Sequence, residues 1–195
     1  MNSDDQLFHG TGIYALAAIA RDNALQEGIH WGKPGEPHGP RTSESFDIAA
    51  KFIEYNMYGG EGGVIVLDRV ALARDFQLLS YRDHCYDGEP MSDEKEVAIL
   101  APSVLQLDKY IVSIVCDPAV IRVAHNRQHM DEAMQDCGWA FASQDDEGEE
   151  EARVALKALL NHPKLNAWVP NTGYPLQSMW DLSLKVTSTR KMSPR

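Results

Sequence analysis

Two rhythms of apolar residues run along this chain: a period of two, which predicts strands, and a period near 3.6, which predicts helices. Gln6-Leu7-Phe8-His9-Gly10-Thr11-Gly12 predicts a short strand closed by a glycine-flanked turn, after which Ile13, Leu16, Ile19, Ala20 and Ala24 share one helical face. Thr42-Ser43-Glu44-Ser45 offers N-cap residues ahead of Phe46, Ala49, Ala50, Ile53 and Met57, which predicts a second amphipathic helix over about 45–58. Val64-Ile65-Val66-Leu67 is β-branched enough for a buried strand. Further strands are expected over 76–81, from Glu94 onward, and over 110–116. Past Asp117-Pro118 the pattern turns helical, over about 119–142 and again over 149–160, where Ala152, Leu156, Leu159 and Leu160 form an apolar stripe.

The expected architecture is α+β: a mixed, strand-rich unit over 1–117, followed by a helical extension and tail over 118–195 that packs on it. The stretch 28–41 carries four glycines and three prolines together with His30, Trp31 and His38, so it is expected to be a long loop of the kind that often serves function. The acidic run 145–151 suits a solvated turn and a helix N-terminus, where negative charge complements the dipole; its spacing lacks the ligand order of a calcium loop.

At 195 residues and 44% hydrophobic, the chain can bury a substantial core. A formal net charge of -11, with Lys and Arg scattered, argues against a nucleic-acid partner bound through phosphates. Cys85, Cys116 and Cys137 are odd in number and widely spaced, which indicates neither a disulfide framework nor a metal site and fits a reducing, cytoplasmic setting. The acidic start Met1-Asn2-Ser3-Asp4-Asp5 has no apolar export segment, and no apolar run reaches the roughly 18 residues of a membrane span.

The sharpest chemical signal is Asp93-Glu94-Lys95-Glu96-Val97-Ala98-Ile99-Leu100. On a strand, residues i and i+2 project to the same face, so Glu94 and Glu96 are expected side by side as a candidate catalytic pair. Adjacent carboxylates repel, and such pairs divide acid, base and cation-stabilising work between them. A solvated acidic strand edge is the plain alternative.

Taken in chain order, Leu7-Phe8-His9-Gly10-Thr11 on a first strand, Arg41-Thr42-Ser43 before a helix, and Glu94-Lys95-Glu96-Val97 opening a later strand resemble the ADP-ribosyltransferase superfamily, over about residues 6–116. The Glu-x-Glu-Val segment is similar to the cholera-toxin-like branch. The His-Gly-Thr strand instead resembles the diphtheria-toxin and poly-ADP-ribose-polymerase side, which has histidine where the other branch has arginine.

The resemblance implies a mostly antiparallel split sheet with flanking helices and a substrate, NAD, cleaved at its nicotinamide–ribose bond. It implies transfer of ADP-ribose to a protein acceptor, with arginine favoured, as an effector or regulator would perform it. Glu96 would stabilise the developing ribosyl cation and Glu94 would orient or deprotonate the acceptor. His9, Gly10 and Thr11 would hold the nicotinamide riboside, Thr42 and Ser43 would position Glu96, and Arg41 would meet the pyrophosphate. Tyr81 or Tyr86 could touch the acceptor. An NAD glycohydrolase, a nucleic-acid ADP-ribosyltransferase, and a silent binding protein that uses the extension with Trp139, Trp168 and Trp180 are the other outcomes the same scaffold allows.

Overall fold

A computed structural model describes residues 5–27, 38–54, 61–80, 85–86, 89–90, 95–128 and 146–167. In chain order the elements are β1 (Gln6–Gly12), α1 (Ile13–Asp22), β2 (Ala24–Gln26), β3 (Arg41–Ser43), α2 (Phe46–Glu54), β4 (Gly62–Asp68), α3 (Arg69–Asp75) and β5 (Leu78–Ser80). There follow β6 (Cys85–Tyr86), β7 (Glu89–Pro90), β8 (Glu96–Ile99), β9 (Ser103–Leu105), a 3-10 turn (Leu107–Lys109), β10 (Ile111–Cys116), α4 (Pro118–Gln128), α5 (Asp146–Leu160) and β11 (Leu165–Ala167). The chain is α+β, built on a mixed, mostly antiparallel sheet of seven strands in the order β11-β10-β4-β1-β3-β8-β5. Only the β10–β11 pairing in that sheet is parallel.

Strand alternation divides the interior into two cores. Leu7, Ile65 and Leu67 point to one face with Leu16 and Leu25, while Phe8, Val64 and Val66 point to the other with Phe46, Ala49 and Ile53. Both faces of the centre are therefore covered, which is why Val64, Ile65, Val66 and Leu67 are all fully buried. On the second face α2 lies close over β1, with the rings of Phe8 and Phe46 meeting edge to face at 5.6 Å between centroids and 88° between planes.

The segment after Pro118 shares the first core: Ala155, Leu156 and Leu159 of α5 are buried in the same cluster as Leu7 and Leu16. Its strand β11 extends the main sheet beside β10, with Ile114 opposite Leu165 and Cys116 opposite Ala167.

Several expected boundaries move. Ala24 leaves the first helix because Asn23, at φ 49°, takes the left-handed conformation that ends α1, and Ala24 pairs with Leu105 instead. Phe76 is the C-cap of α3 rather than a strand residue, and α3 itself was not expected. Arg41-Thr42-Ser43 is a strand, β3, and not merely the run-in to a helix. The expected helix over 119–142 is described only to Gln128, and Met57, Cys137, Trp139, Trp168 and Trp180 lie outside the described residues.

One seam divides the sheet. β1 and β4 stay in register over seven consecutive pairs, from Gln6↔Asp68 to Gly12↔Gly62. On its other side β1 is in register with β3 only at Phe8↔Ser43.

Candidate functional site

The short, polar β3 holds its place because both neighbours pair with it: β8 runs antiparallel with Arg41↔Ala98, Thr42↔Val97 and Ser43↔Glu96. Phe8, Ser43 and Glu96 thus form a row across three strands. Arg41 lies diagonal to Glu96 on the same face, within reach of two long side chains. An Arg41 guanidinium nitrogen donates to Glu96 Oε1, forming an ion pair whose side chains are 21% and 17% exposed. Arg41 is held against the carboxylate because strand register sets the two diagonally opposite.

The two hydroxyls beside it are placed by backbone. Thr42 is buried and its Oγ1 donates to the Val97 carbonyl at 2.8 Å, while Ser43 Oγ accepts the Ser45 N–H at 3.1 Å in the turn that leads into α2. Thr42 thereby locks β3 to β8 one residue from Glu96, so its hold on that residue passes through the strand backbone.

His9 sits at the seam, with Nδ1 2.8 Å from the Arg41 carbonyl oxygen. A carbonyl can only accept, so Nδ1 carries the proton and Nε2 is left as the acceptor of the neutral ring. Burial lowers the pKa of His9, and the hydrogen bond to Arg41 opposes this more weakly.

Gly10, one residue on, is held to glycine by the packing of α2. A Cβ there would lie 1.7 Å from the Ala49 carbonyl oxygen, so the absent side chain is what lets α2 rest on β1.

These residues enclose a cleft of about 110 Å³ lined by Phe8, His9, Gly10, Arg41, Thr42, Ser43, Ala49, Phe52 and Glu96. Its size suits one aromatic ring, since a cavity of roughly 150 Å³ holds benzene and drug-sized ligands need about 300 Å³ or more. Phe52 and Ala49 were not expected in the lining. The signal for Phe52 was available: it falls off the apolar face of its helix and stands 43% exposed at the cleft.

Not every expected residue joins the site. Thr11 of β1 pairs with Gly63 of β4 and does not line the cleft. Glu94 lies outside the described residues. β8 begins at Glu96, and Lys95 before it has φ 46°, a left-handed turn conformation. His38 is exposed and its Nδ1 is 3.0 Å from Glu27 Oε1, away from the cleft lining. His30, Trp31 and Tyr81 are outside the described residues, and of Tyr86 only the strand is described.

Among the described residues no group of three or more His, Cys, Asp or Glu side chains is placed to hold a metal ion. None of their helices is long and apolar enough to cross a membrane. Cys116 is buried, which pushes its thiol up to about 12 and leaves it protonated and unreactive at neutral pH. A second cavity, of about 630 Å³, lies between α4 and α5 and shares no lining residue with the cleft. Comparison of the chain with models of protein families, with curated proteins and with solved structures gives no match.

Proposed function

We propose that the chain is a mono-ADP-ribosyltransferase that cleaves NAD at the nicotinamide–ribose bond and passes ADP-ribose to a protein side chain, with arginine favoured. The observation that carries this reading is the convergence of His9, Gly10, Arg41, Thr42, Ser43 and Glu96, far apart in sequence, on one ring-sized cleft. The seam between β1 and β3 is also what a split-sheet scaffold of this superfamily would require.

In this reading the nicotinamide ring occupies the cleft and the Nε2 of His9 accepts a hydrogen bond from a ribose hydroxyl. As the glycosidic bond breaks, its electron pair goes to the ring nitrogen and neutralises it, while positive charge grows on the ribose carbon. Glu96 stabilises that charge from a partly desolvated position, where electrostatic interaction is strong. The acceptor nitrogen then bonds to the ribose carbon and gives up its proton, the step assigned to Glu94. The odd number of widely spaced cysteines supports a reducing, cytoplasmic setting for the reaction.

The test is release of nicotinamide and transfer of label from NAD into protein on incubation with a cell lysate. Glu96→Gln is expected to lower both by about 10²–10⁴-fold. Undiminished transfer by that variant removes Glu96 from the reaction. Equal nicotinamide release with and without lysate makes the protein a glycohydrolase.

A second reading, a ligand-binding site without catalysis, is favoured by the Arg41–Glu96 ion pair, which neutralises the carboxylate at rest. Saturable NAD binding with no nicotinamide released would establish it.

A further inference from the structure

The assigned catalytic carboxylate is ion-paired with a cation supplied by the protein itself. Arg41 and Glu96 meet inside the cleft lining, both mostly withdrawn from water, and both rise from the same face of the β3–β8 pair. Withdrawing one member of such a pair leaves the other charge poorly solvated, so a ligand that displaces Arg41 from Glu96 must bring a positive charge of its own. The free space beside the pair is about one ring in size and Glu96 lines it, so a cationic ring seated there and the guanidinium compete for the same carboxylate.

We propose that Arg41 is the exchangeable resting counter-ion of Glu96, and that this exchange makes the site select pyridinium rings over uncharged rings of the same shape. An oxidised nicotinamide nucleoside replaces the guanidinium charge for charge. Its reduced dihydropyridine form is almost the same size but neutral, and would leave Glu96 without a partner if it entered. Arg41, once released, is free to turn toward anionic groups of a longer ligand. The selectivity thus resides in an internal competitor as well as in contacts to the ligand. The inference rests on the transferase reading for the identity of the ring, and it specifies how that same cleft chooses its substrate.

Nicotinamide riboside and its reduced dihydro form are suitable probes because neither carries a phosphate. Titration calorimetry of the full chain is expected to show the oxidised riboside binding at least about tenfold more tightly than the reduced one. Arg41→Gln removes the competitor and should tighten the oxidised riboside about tenfold further, whereas Arg41→Lys keeps a competing cation and should stay near wild type. Glu96→Gln should abolish the preference for the oxidised form. This second variant tests the idea even if Arg41→Gln does not fold.

Equal affinity of wild type for the two forms, no binding of either, or weaker binding of the oxidised riboside by a folded Arg41→Gln protein overturns the proposal. The weaker binding would make Arg41 a direct ligand contact instead. The transferase reading fails separately: selective riboside binding with no nicotinamide released from NAD leaves the charge exchange standing and removes the reaction. NAD cleavage without oxidised-form preference does the reverse.

Discussion

His9 Nδ1 and the Arg41 carbonyl oxygen, 2.8 Å apart, are joined across the seam between β1 and β3 by a side chain where the strand register stops. The histidine is therefore a structural bridge as well as a candidate ligand contact, and its protonation bears on both roles. Protonation would keep the Nδ1 donor in place but would convert Nε2 from an acceptor to a donor.

The pH dependence follows from the direction of the shift. Burial lowers the His9 pKa in the folded protein below the ordinary 6.5, so the unfolded chain binds more protons in the region beneath that value. Stability from this group is present above pH 6.5 and is lost as the pH falls through the lowered value. Urea unfolding at pH 7.5 and pH 5 is expected to show wild type losing more stability than His9→Asn, whose amide can still donate across the seam. An equal loss in both proteins would remove His9 as the source. Nitrogen NMR at neutral pH should find the proton on Nδ1.

Gly10→Ala is expected to destabilise the protein more than an ordinary exposed substitution, because its methyl would meet the Ala49 carbonyl oxygen at 1.7 Å. The obstacle is helix backbone, so α2 must move as a unit. Overpacking of this kind costs about 1–3 kcal/mol, measurable as a lower urea midpoint. The shift should also disturb Phe52, whose ring resonances would move while those near Leu156 stay in place. An unchanged midpoint would show that α2 and β1 are not in such close contact.

Leu156→Ala tests whether the helices after Pro118 belong to the same cooperative unit as the sheet. Leu156 is fully buried in the cluster that contains Leu7 and Leu16. Its truncation is expected to cost about 2–5 kcal/mol and to lower one unfolding transition followed equally by all probes. Two separable transitions would mark the extension as an independent domain.

The strands and helices that announced themselves in sequence are those whose pattern is local. Val64 to Leu67 is an unbroken apolar run, and Phe46, Ala49 and Ile53 repeat at helical spacing, so β4 and α2 needed no partner to be recognised. β3 shows the opposite case. Arg-Thr-Ser has no strand-like pattern of its own, and only pairing with β1 and with β8, where Thr42 bonds to Val97 55 residues away, makes it extended. α3 was missed although its signal was present: Asp68 accepts the Ala71 N–H at 2.8 Å as an N-cap.

The site divides in the same way. His9, Gly10, Arg41, Thr42, Ser43 and Glu96 were nominated by the order of motifs that carries the resemblance, and they do share one cleft. What spacing could not supply was direction: the diagonal that points Arg41 at Glu96 depends on inter-strand register, and the left-handed turn at Lys95 carries no glycine to announce it. Phe52, a large apolar residue off its helix's apolar face, carried a signal that a reading of apolar periodicity passes over.

The seam at Phe8 and Ser43 has a mechanical consequence. One bank of the sheet, β11-β10-β4-β1, contributes His9 and Gly10 to the cleft, and the other, β3-β8-β5, contributes Arg41, Thr42, Ser43 and Glu96. Any small molecule gripped by both banks acts as a strut across the weakest-registered joint of the sheet. Occupancy of a ring-sized cleft is thereby converted into resistance to shear between two halves of the protein.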